Sequence, residues 1–336
     1  MSDSPSTVAA GAPRPGAGES GVPSQTRDKT WTVLELLRWT TDYFSRSGID
    51  SARLDAEVLL AHALETERLR LYIDYEKPVL PEERDRYRAL VQRRARERVP
   101  VSQLIGEREF WSLPFKVTSD VLTPRPETET LVEFGLSKAS RRAASASTAG
   151  SDPSEGEAVP ADSQPALRIL DVGTGSGAIA LSLASELPHA EITATDLSER
   201  ALQIAILNAD QLHTRERIRF LVGDLFEPVA SERFDLIVSN PPYVASKDAG
   251  SCPPELSHEP EMALFAGHDG LDVIRRLIVS AGDHLSPGGW LGIELSPEQA
   301  DTVEQELSQA GFVDVERRFD LASRPRVVGA RWPDVT

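Results

Sequence analysis

The chain has one cysteine, Cys252, in 336 residues, which excludes an internal disulfide framework. Its six histidines are scattered with no pair at metal-ligand spacing, so no structural metal is expected. No run approaches the ~18 consecutive apolar residues of a membrane-spanning helix. The opening "MSDSPSTVAAGAPRPGAGES" has no basic start followed by an apolar core, so no signal peptide is expected and the cytoplasm is the expected compartment. Positive charge is also scarce: 36 Lys and Arg stand against 53 Asp and Glu, a net charge of −17. Such a surface repels a phosphate backbone, and with aromatics at only 6% there is no basic, aromatic-interleaved domain for nucleic acid. Direct duplex binding is not expected; a basic protein partner suits the charge better.

The 40% hydrophobic content is ample for a globular core, and the length allows two domains. Residues 1–29 are rich in Ser, Pro, Gly and Ala and carry too little apolar surface to offset ordering entropy, so they read as a disordered tail. Residues 30–99 read as a small helical domain. Val33, Leu34, Leu37 and Phe44 fall on one side of a first helix, and Leu54, Val58, Leu59 and His62 lie in a second that Asp50 or Ser51 can cap. Pro81, followed by Glu82 and Glu83, opens a third helix, "PEERDRYRALVQRRARER", whose mixed charges predict a solvated face. Residues 100–129 contain "GEREFWSLPFKVTSDVLTPRPETE", which predicts a hairpin and then a helix opening at Pro126, a hinge between domains. The last domain, 130–336, carries a low-complexity stretch at 137–167 that is expected to be a disordered insertion.

From Ala166 onward short apolar runs alternate with helical stretches: "LRILDVG", "AIALSLASEL", "EITATDL", "RALQIAILNADQL", "IRFLVGD", "FDLIVSN". That order predicts an α/β fold, a parallel sheet covered on both faces. "FVDVERRF" and "RPRVVGARW" predict a closing antiparallel pair.

Three strand ends carry chemistry. "LDVGTGSGAIA" puts Gly173, Gly175 and Gly177 between a strand and its helix, where glycines permit a tight turn and close approach of the main chain to a ligand. A GxGxxA reading ending at Ala178 also fits a dinucleotide fold. Asp196 ends the next strand, where a carboxylate can accept both hydroxyls of a ribose. It could instead be a helix cap, but Ser198 can take that part and leave the carboxylate free. Asp224, with Leu225 and Phe226 beside it, could accept an adenine amino group between apolar walls, or form an ordinary strand-end loop. Then comes "NPPYV". Asn240 offers a donor and an acceptor in one plane, and Pro241 and Pro242 leave nearby carbonyls without local N–H partners. A planar –C(=X)–NH2 group could dock there, its hydrogens taken by Asn240 and a main-chain carbonyl of the Pro241 kind, with Tyr243 against its flat face.

Together these residues resemble the S-adenosylmethionine-dependent methyltransferases of Rossmann-like fold that act on planar nitrogens. "GEREFWSLPFKV", "LTPRPETE", "NPPYV", "HEPEMALFAGHDGLDVIRRL" and "LSPGGWLGIEL" are most similar to the family of peptide-chain release factor glutamine N5-methyltransferases. The resemblance implies a class I methyltransferase sheet behind a helical domain that docks the substrate, and S-adenosyl-L-methionine as methyl donor. It implies that the cofactor lies against Gly173, Thr174, Gly175, Ser176, Gly177, Asp196, Asp224, Leu225 and Asn240. Leu225 stands where relatives often have a large aromatic. The glutamine of a Gly-Gly-Gln loop in a class-1 release factor would enter the corner of Asn240, Pro241, Pro242 and Tyr243. Two alternatives share these residues: an N-methyltransferase for an exocyclic base amine of RNA or DNA, and a cofactor-binding module without catalysis.

Overall fold

The computed structural model describes residues 30–149 and 166–334, and of residues 141–149 the backbone alone. The expected tail, 1–29, and residues 150–165 of the expected insertion lie outside the described residues.

Helix α1 (Val33–Arg46) starts at a capping box. Thr32 Oγ1 accepts from the Glu35 N–H at 3.3 Å, and Glu35 Oε2 accepts from the Thr32 N–H at 3.0 Å, so two of the helix's unpaired donors are satisfied reciprocally. Val33, Leu36, Leu37 and Phe44 are buried against Leu59 and Leu60 of α2 (Ala52–Ala63). The second helix does not bury the row expected for it. Ala56, Leu59, Leu60 and Ala63 face the core, whereas Leu54 is 47% exposed and His62 is exposed. Helix α3 (Arg68–Ile73) was not expected; six residues are too few to show a period. Helix α4 (Pro81–Gln92) does begin with proline in its first turn. Helix α5 (Val101–Ile105) sets Leu104 into the same core, so the helical unit runs past residue 99.

The charged run is mostly solvated as expected, with Arg93, Arg96 and Glu97 exposed, but one of its residues departs from that reading. Arg94, in a single π turn at Arg93–Glu97, is only 6% exposed. Its Nε donates to Asp55 Oδ2 at 2.8 Å and its Nη1 to Glu255 Oε1 at 2.8 Å. Arg98 reaches the same Glu255 oxygen at 2.7 Å. Burial this deep is tolerated because both neighbouring charges are opposite.

Strands β1 (Glu107–Phe110) and β2 (Leu113–Lys116) form the expected antiparallel hairpin, turned by Trp111 and Ser112 at φ +52° and +58°, as a two-residue hairpin turn requires. A short 3-10 turn at Pro126–Thr128 leads into α6 (Glu129–Ala149). This helix takes in the start of the stretch expected to be a disordered insertion. Lys138 is buried there, its Nζ 2.8 Å from Glu316 Oε2 and 3.4 Å from the centre of the Trp290 ring.

The main sheet comprises β3 (Arg168–Val172), β4 (Glu191–Asp196), β5 (Ile218–Val222), β6 (Phe234–Ser239), β7 (Leu285–Glu294), β8 (Val313–Phe319) and β9 (Pro325–Arg331). Its spatial order is β5-β4-β3-β6-β7-β9-β8. The first five strands in that order are parallel and β9 lies antiparallel between β7 and β8. Helices α7 (Ala178–Glu186), α8 (Glu199–Gln211), α9 (Asp272–His284) and α10 (Ala300–Gln309) cross over between strands. One core joins Ile237 and Ile293 to Ile274 and Val303 of α9 and α10; the other joins Leu236 and Val238 to Leu131 and Ile179 of α6 and α7. Successive residues of β6 thus face opposite buried layers, which is why the strand reads as an unbroken apolar run. Strand order reverses between β3 and β6, and in open α/β sheets the crevice at that reversal is where ligands bind.

Gly292 and Gly329 face each other across β7 and β9 under the ring of Phe134. A Cβ would come within 2.5 Å of the Phe134 ring at Gly292 and within 2.2 Å at Gly329. Gly329→Val is therefore expected to lower stability by about 1–3 kcal/mol or more, the range for overpacked cores. Urea unfolding checks it, and an unchanged midpoint would contradict this packing.

Candidate active site

The glycine turn follows β3 directly. The Gly173 and Thr174 N–H groups donate to the Thr195 carbonyl at 2.8 and 2.9 Å, pinning the turn to the end of β4. Gly173 and Gly175 take φ +74° and +57°, and a Cβ on either would meet nothing within 4 Å; their missing side chains leave open space at the strand end. Gly177 differs. It caps α7 at φ +84°, and a Cβ there would meet Leu181 at 2.9 Å, so it serves helix packing and does not border the crevice.

Asp196 holds the other side of the turn. Ser198 does cap α8, its Oγ accepting from the Ala201 N–H at 3.2 Å. The Asp196 carboxylate is nevertheless not left free, because Oδ2 accepts from the Gly175 N–H and Oδ1 from the Ser198 N–H, both at 2.8 Å. A carboxylate has about four acceptor positions, so two remain for a diol. Burial, the largest influence, raises its pKa; the two N–H bonds oppose that rise.

One crevice is lined by Gly173, Thr174, Gly175 and Ser176, by Asp196, by Asp224 and Leu225, and by Asn240, Pro241 and Pro242. Ten of the expected site residues thus converge from four strand ends. Asp224 Oδ2 accepts from Arg276 Nη2 at 2.5 Å, which leaves Oδ1 for a ligand. Leu225 sits at φ +49°, a strained value for a branched side chain and one that concentrates at functional sites. Phe226, expected as the second apolar wall, is turned into the core and stacks on His284 with ring centres 4.6 Å apart.

A second, larger cleft opens between the helical unit and the sheet, lined by Leu54, Val58 and His62 on one side and by Asn240, Pro241 and Tyr243 on the other. Asn240, Pro241, Arg125 and Leu122 border both spaces. The loop after the corner ties the units together. Arg125 Nη2 meets Glu259 Oε2 at 2.5 Å, Gln103 donates to the His258 carbonyl at 2.9 Å, and the His258 ring nitrogen Nε2 lies 2.7 Å from the Glu97 carbonyl oxygen. Arg125 thus borders the site, whereas Glu129 accepts from the Trp111 N–H and Glu127 pairs with Arg324.

At the meeting point Asn240 Nδ2 donates to Thr128 Oγ1 at 3.2 Å. Its Oδ1 is buried and has no hydrogen-bond partner among the described residues. Buried acceptors are nearly always satisfied, so one left unpaired on a residue that lines both spaces marks a place for an incoming donor. Tyr243 turns its hydroxyl to Glu294 Oε1 at 3.2 Å, and Gln299 Nε2 holds the Tyr243 carbonyl at 3.0 Å.

Three residues of this site escape a reading of the sequence: Thr128, Glu294 and Asp171. Glu294 and Asp171 are wholly buried carboxyls. Asp171 Oδ2 accepts from the Thr174 hydroxyl at 2.6 Å and the Ala180 N–H at 3.2 Å. Burial, opposed by those two bonds, raises its pKa to about 7. A carboxyl whose folded pKa is raised binds its proton more tightly in the folded chain, so folding stability falls as pH climbs from the ordinary aspartate range to about 7. Asp171→Asn is expected to flatten that fall in pH-dependent urea melts; a slope identical to the parent would contradict it.

The geometry agrees with what this chain is similar to. Residues 35–106 match the family described as PrmC N-terminal domain, and residues 158–253 match the Methyltransferase small domain. The release factor glutamine methyltransferase of Geobacter sulfurreducens is 40% identical over 91% of this chain and 98% of its own length. That of Rhodopirellula baltica is 40% identical over 90% and 96%, and that of Xylella fastidiosa strain Temecula1 is 42% identical over 84% and 94%. Among solved structures the catalytic domain of hMettl16, in complex with MAT2A 3'UTR hairpin 6, matches with a TM-score of 0.50 at 15% identity, over 78% of this chain and 86% of that one, a likeness of fold. With two domain models matched and four-tenths identity sustained over nearly the whole length, the chain belongs to the release factor glutamine methyltransferase family.

Proposed function

We propose that the protein transfers the methyl group of S-adenosyl-L-methionine to the side-chain amide nitrogen, N5, of the glutamine in the Gly-Gly-Gln motif of class-1 peptide chain release factors. The observation that carries this reading is the unpaired, buried Oδ1 of Asn240, a residue that lines both spaces. In the proposal it accepts one amide N–H of the glutamine, the Pro241 carbonyl accepts the other, and Tyr243 and Pro242 confine the flat amide.

The glycine turn and the two strand-end carboxylates fit an adenosyl cofactor. The space beside Gly173 and Gly175 lets main chain approach it, Asp196 keeps two acceptor positions for the ribose, and Asp224 Oδ1 can take the adenine amino group beside Leu225. Bound there, S-adenosylmethionine supplies an electrophilic methyl carbon. What the chain does is orient and polarise. An amide nitrogen is a poor nucleophile because its lone pair is delocalised into the carbonyl; two acceptors gripping both hydrogens favour a more pyramidal nitrogen and aim it, so orientation and fixed dipoles carry the rate. The methylated nitrogen sheds its proton readily, and no histidine base is needed.

The cleft beside Leu54, Val58 and His62 is the proposed seat of the release factor, a protein partner suited to a chain of net charge −17, and cytoplasm is the proposed compartment. The corner could also hold an exocyclic base amine; the acidic surface and the substrate in the relatives' names count against it. The test is transfer of labelled methyl groups to a release factor. Labelling is expected to vanish when the substrate's glutamine is replaced by alanine, and equal labelling of that variant would refute the reading.

A further inference from the structure

The amino-acid end of S-adenosylmethionine carries a carboxylate, and a glycine turn that opens a helix is ordinarily where an anion finds free N–H groups. Here those groups are occupied. The Gly173 and Thr174 N–H groups go to the Thr195 carbonyl, the Gly175 N–H to Asp196 Oδ2, and the Gly177 N–H to the Thr174 carbonyl at 2.9 Å. The Ala180 N–H, in the first turn of α7, goes to Asp171 Oδ2 at 3.2 Å. With two acidic side chains bonded into it, the turn disfavours a negative charge.

Side-chain cations are the remaining donors of opposite charge. Two of the described residues lining the crevice carry one, Arg125 and Arg276, against the carboxylates of Asp120, Asp196 and Asp224. Arg276 is engaged with Asp224 past the end of β5. Arg125 lines the crevice together with Thr128, Asn240 and Pro241, and a buried acid anchors it. The Glu259 side chain is 1% exposed; its Oε1 accepts from the Thr123 N–H at 3.2 Å and its Oε2 from Arg125 Nη2 at 2.5 Å. A guanidinium has five N–H donors, so this bond leaves others for a ligand.

We propose that Arg125 binds the α-carboxylate of S-adenosylmethionine, and that buried Glu259 holds the guanidinium in place for it. The assignment rests on the proposed seating of the ribose at Asp196 and of adenine at Asp224. The sulfur joins the ribose to the amino-acid chain, so with the ribose at the end of β4 that chain continues toward the ends of β3 and β6, the side of the crevice that Arg125 and Asn240 share. Arginine suits the task because its planar fork meets a carboxylate with charge-assisted hydrogen bonds. The contact also sets specificity: adenosyl thioethers that keep the carboxylate are selected over those that lack it.

The test is isothermal titration of the full chain with S-adenosylhomocysteine and with its decarboxylated analogue, so no turnover is needed. The parent should bind S-adenosylhomocysteine about ten- to a hundredfold more tightly than the analogue, the scale of a hydrogen bond to a charged group. Arg125→Met combined with Glu259→Gln removes both charges, so neither is left buried alone; that double variant should bind the two ligands nearly equally and keep the parent's affinity for the analogue. Arg125→Lys, which keeps the charge and loses the fork, should show an intermediate preference. A parent without the preference, or a double variant that retains it in full, would overturn the proposal while leaving release factor methylation intact. So would a double variant that changes only KM for the release factor, since Arg125 would then serve the substrate. If the double variant does not fold, Arg125→Lys decides, and a preference equal to the parent's would overturn the proposal. Failure of the parent to bind S-adenosylhomocysteine at all would overturn the cofactor site as well.

Discussion

Asn240→Ala is expected to lower kcat by about a hundred- to a thousandfold, the effect of deleting one preorganised polar group aimed at a reacting centre. S-adenosylhomocysteine affinity should stay within a few-fold of the parent. The reason is the division of labour in the crevice. Asp196 and Asp224 present their carboxylates from the ends of β4 and β5, independently of Asn240, whose Nδ2 is anchored on Thr128 and whose Oδ1 is unpaired among the described residues. On the proposed reading, removing the side chain leaves the adenosyl cradle and deletes the grip on the substrate amide. Isothermal titration and single-turnover methylation separate the two. A variant that loses cofactor affinity in proportion to turnover would show that Asn240 serves the cofactor alone.

The second large effect is structural. Arg94→Ala is expected to cost about 3–5 kcal/mol, because it leaves Asp55 as a buried charge without its counter-ion. Asp55 is 6% exposed and its Oδ2 is held by Arg94 at 2.8 Å. The same guanidinium reaches Glu255 on the loop that follows the Asn-Pro-Pro-Tyr corner, so the variant should also raise KM for the release factor by loosening the cleft. Denaturant unfolding and steady-state kinetics check both parts. A loss under about 1 kcal/mol, the ceiling for exposed ion pairs, would mean the cluster is solvated after all.

What the sequence made legible is local. Glycine at positive φ, two prolines closing a strand and an acid at a strand's end are each demanded within a few residues of chain, so Gly173, Gly175, Asp196, Asn240 and Pro241 could be found before any fold was known. Position across the sheet was not legible. Thr128 lies 112 residues from Asn240, and Arg94 lies 39 from Asp55; no periodicity spans such gaps. A basic run reads as a wet face unless its counter-charges are seen, and Arg94 had two. Glu294 did leave a signal, a carboxylate inside the apolar run "WLGIEL", where an unpaired acid is rarely buried. Phe226 was misjudged because an apolar residue next to a site can face either the site or the core. The start of the 137–167 stretch was read by complexity, although "SKASRRAASASTA" is rich in alanine, the strongest helix former, and α6 runs through it.

Tandem mass spectrometry of a release factor after incubation with the enzyme and S-adenosylmethionine tests the central claim most directly. A single added methylene on the side chain of the Gly-Gly-Gln glutamine, present with the parent and missing with Asn240→Ala, is the predicted result. Modification at any other side chain, or undiminished glutamine methylation by Asn240→Ala, would contradict it.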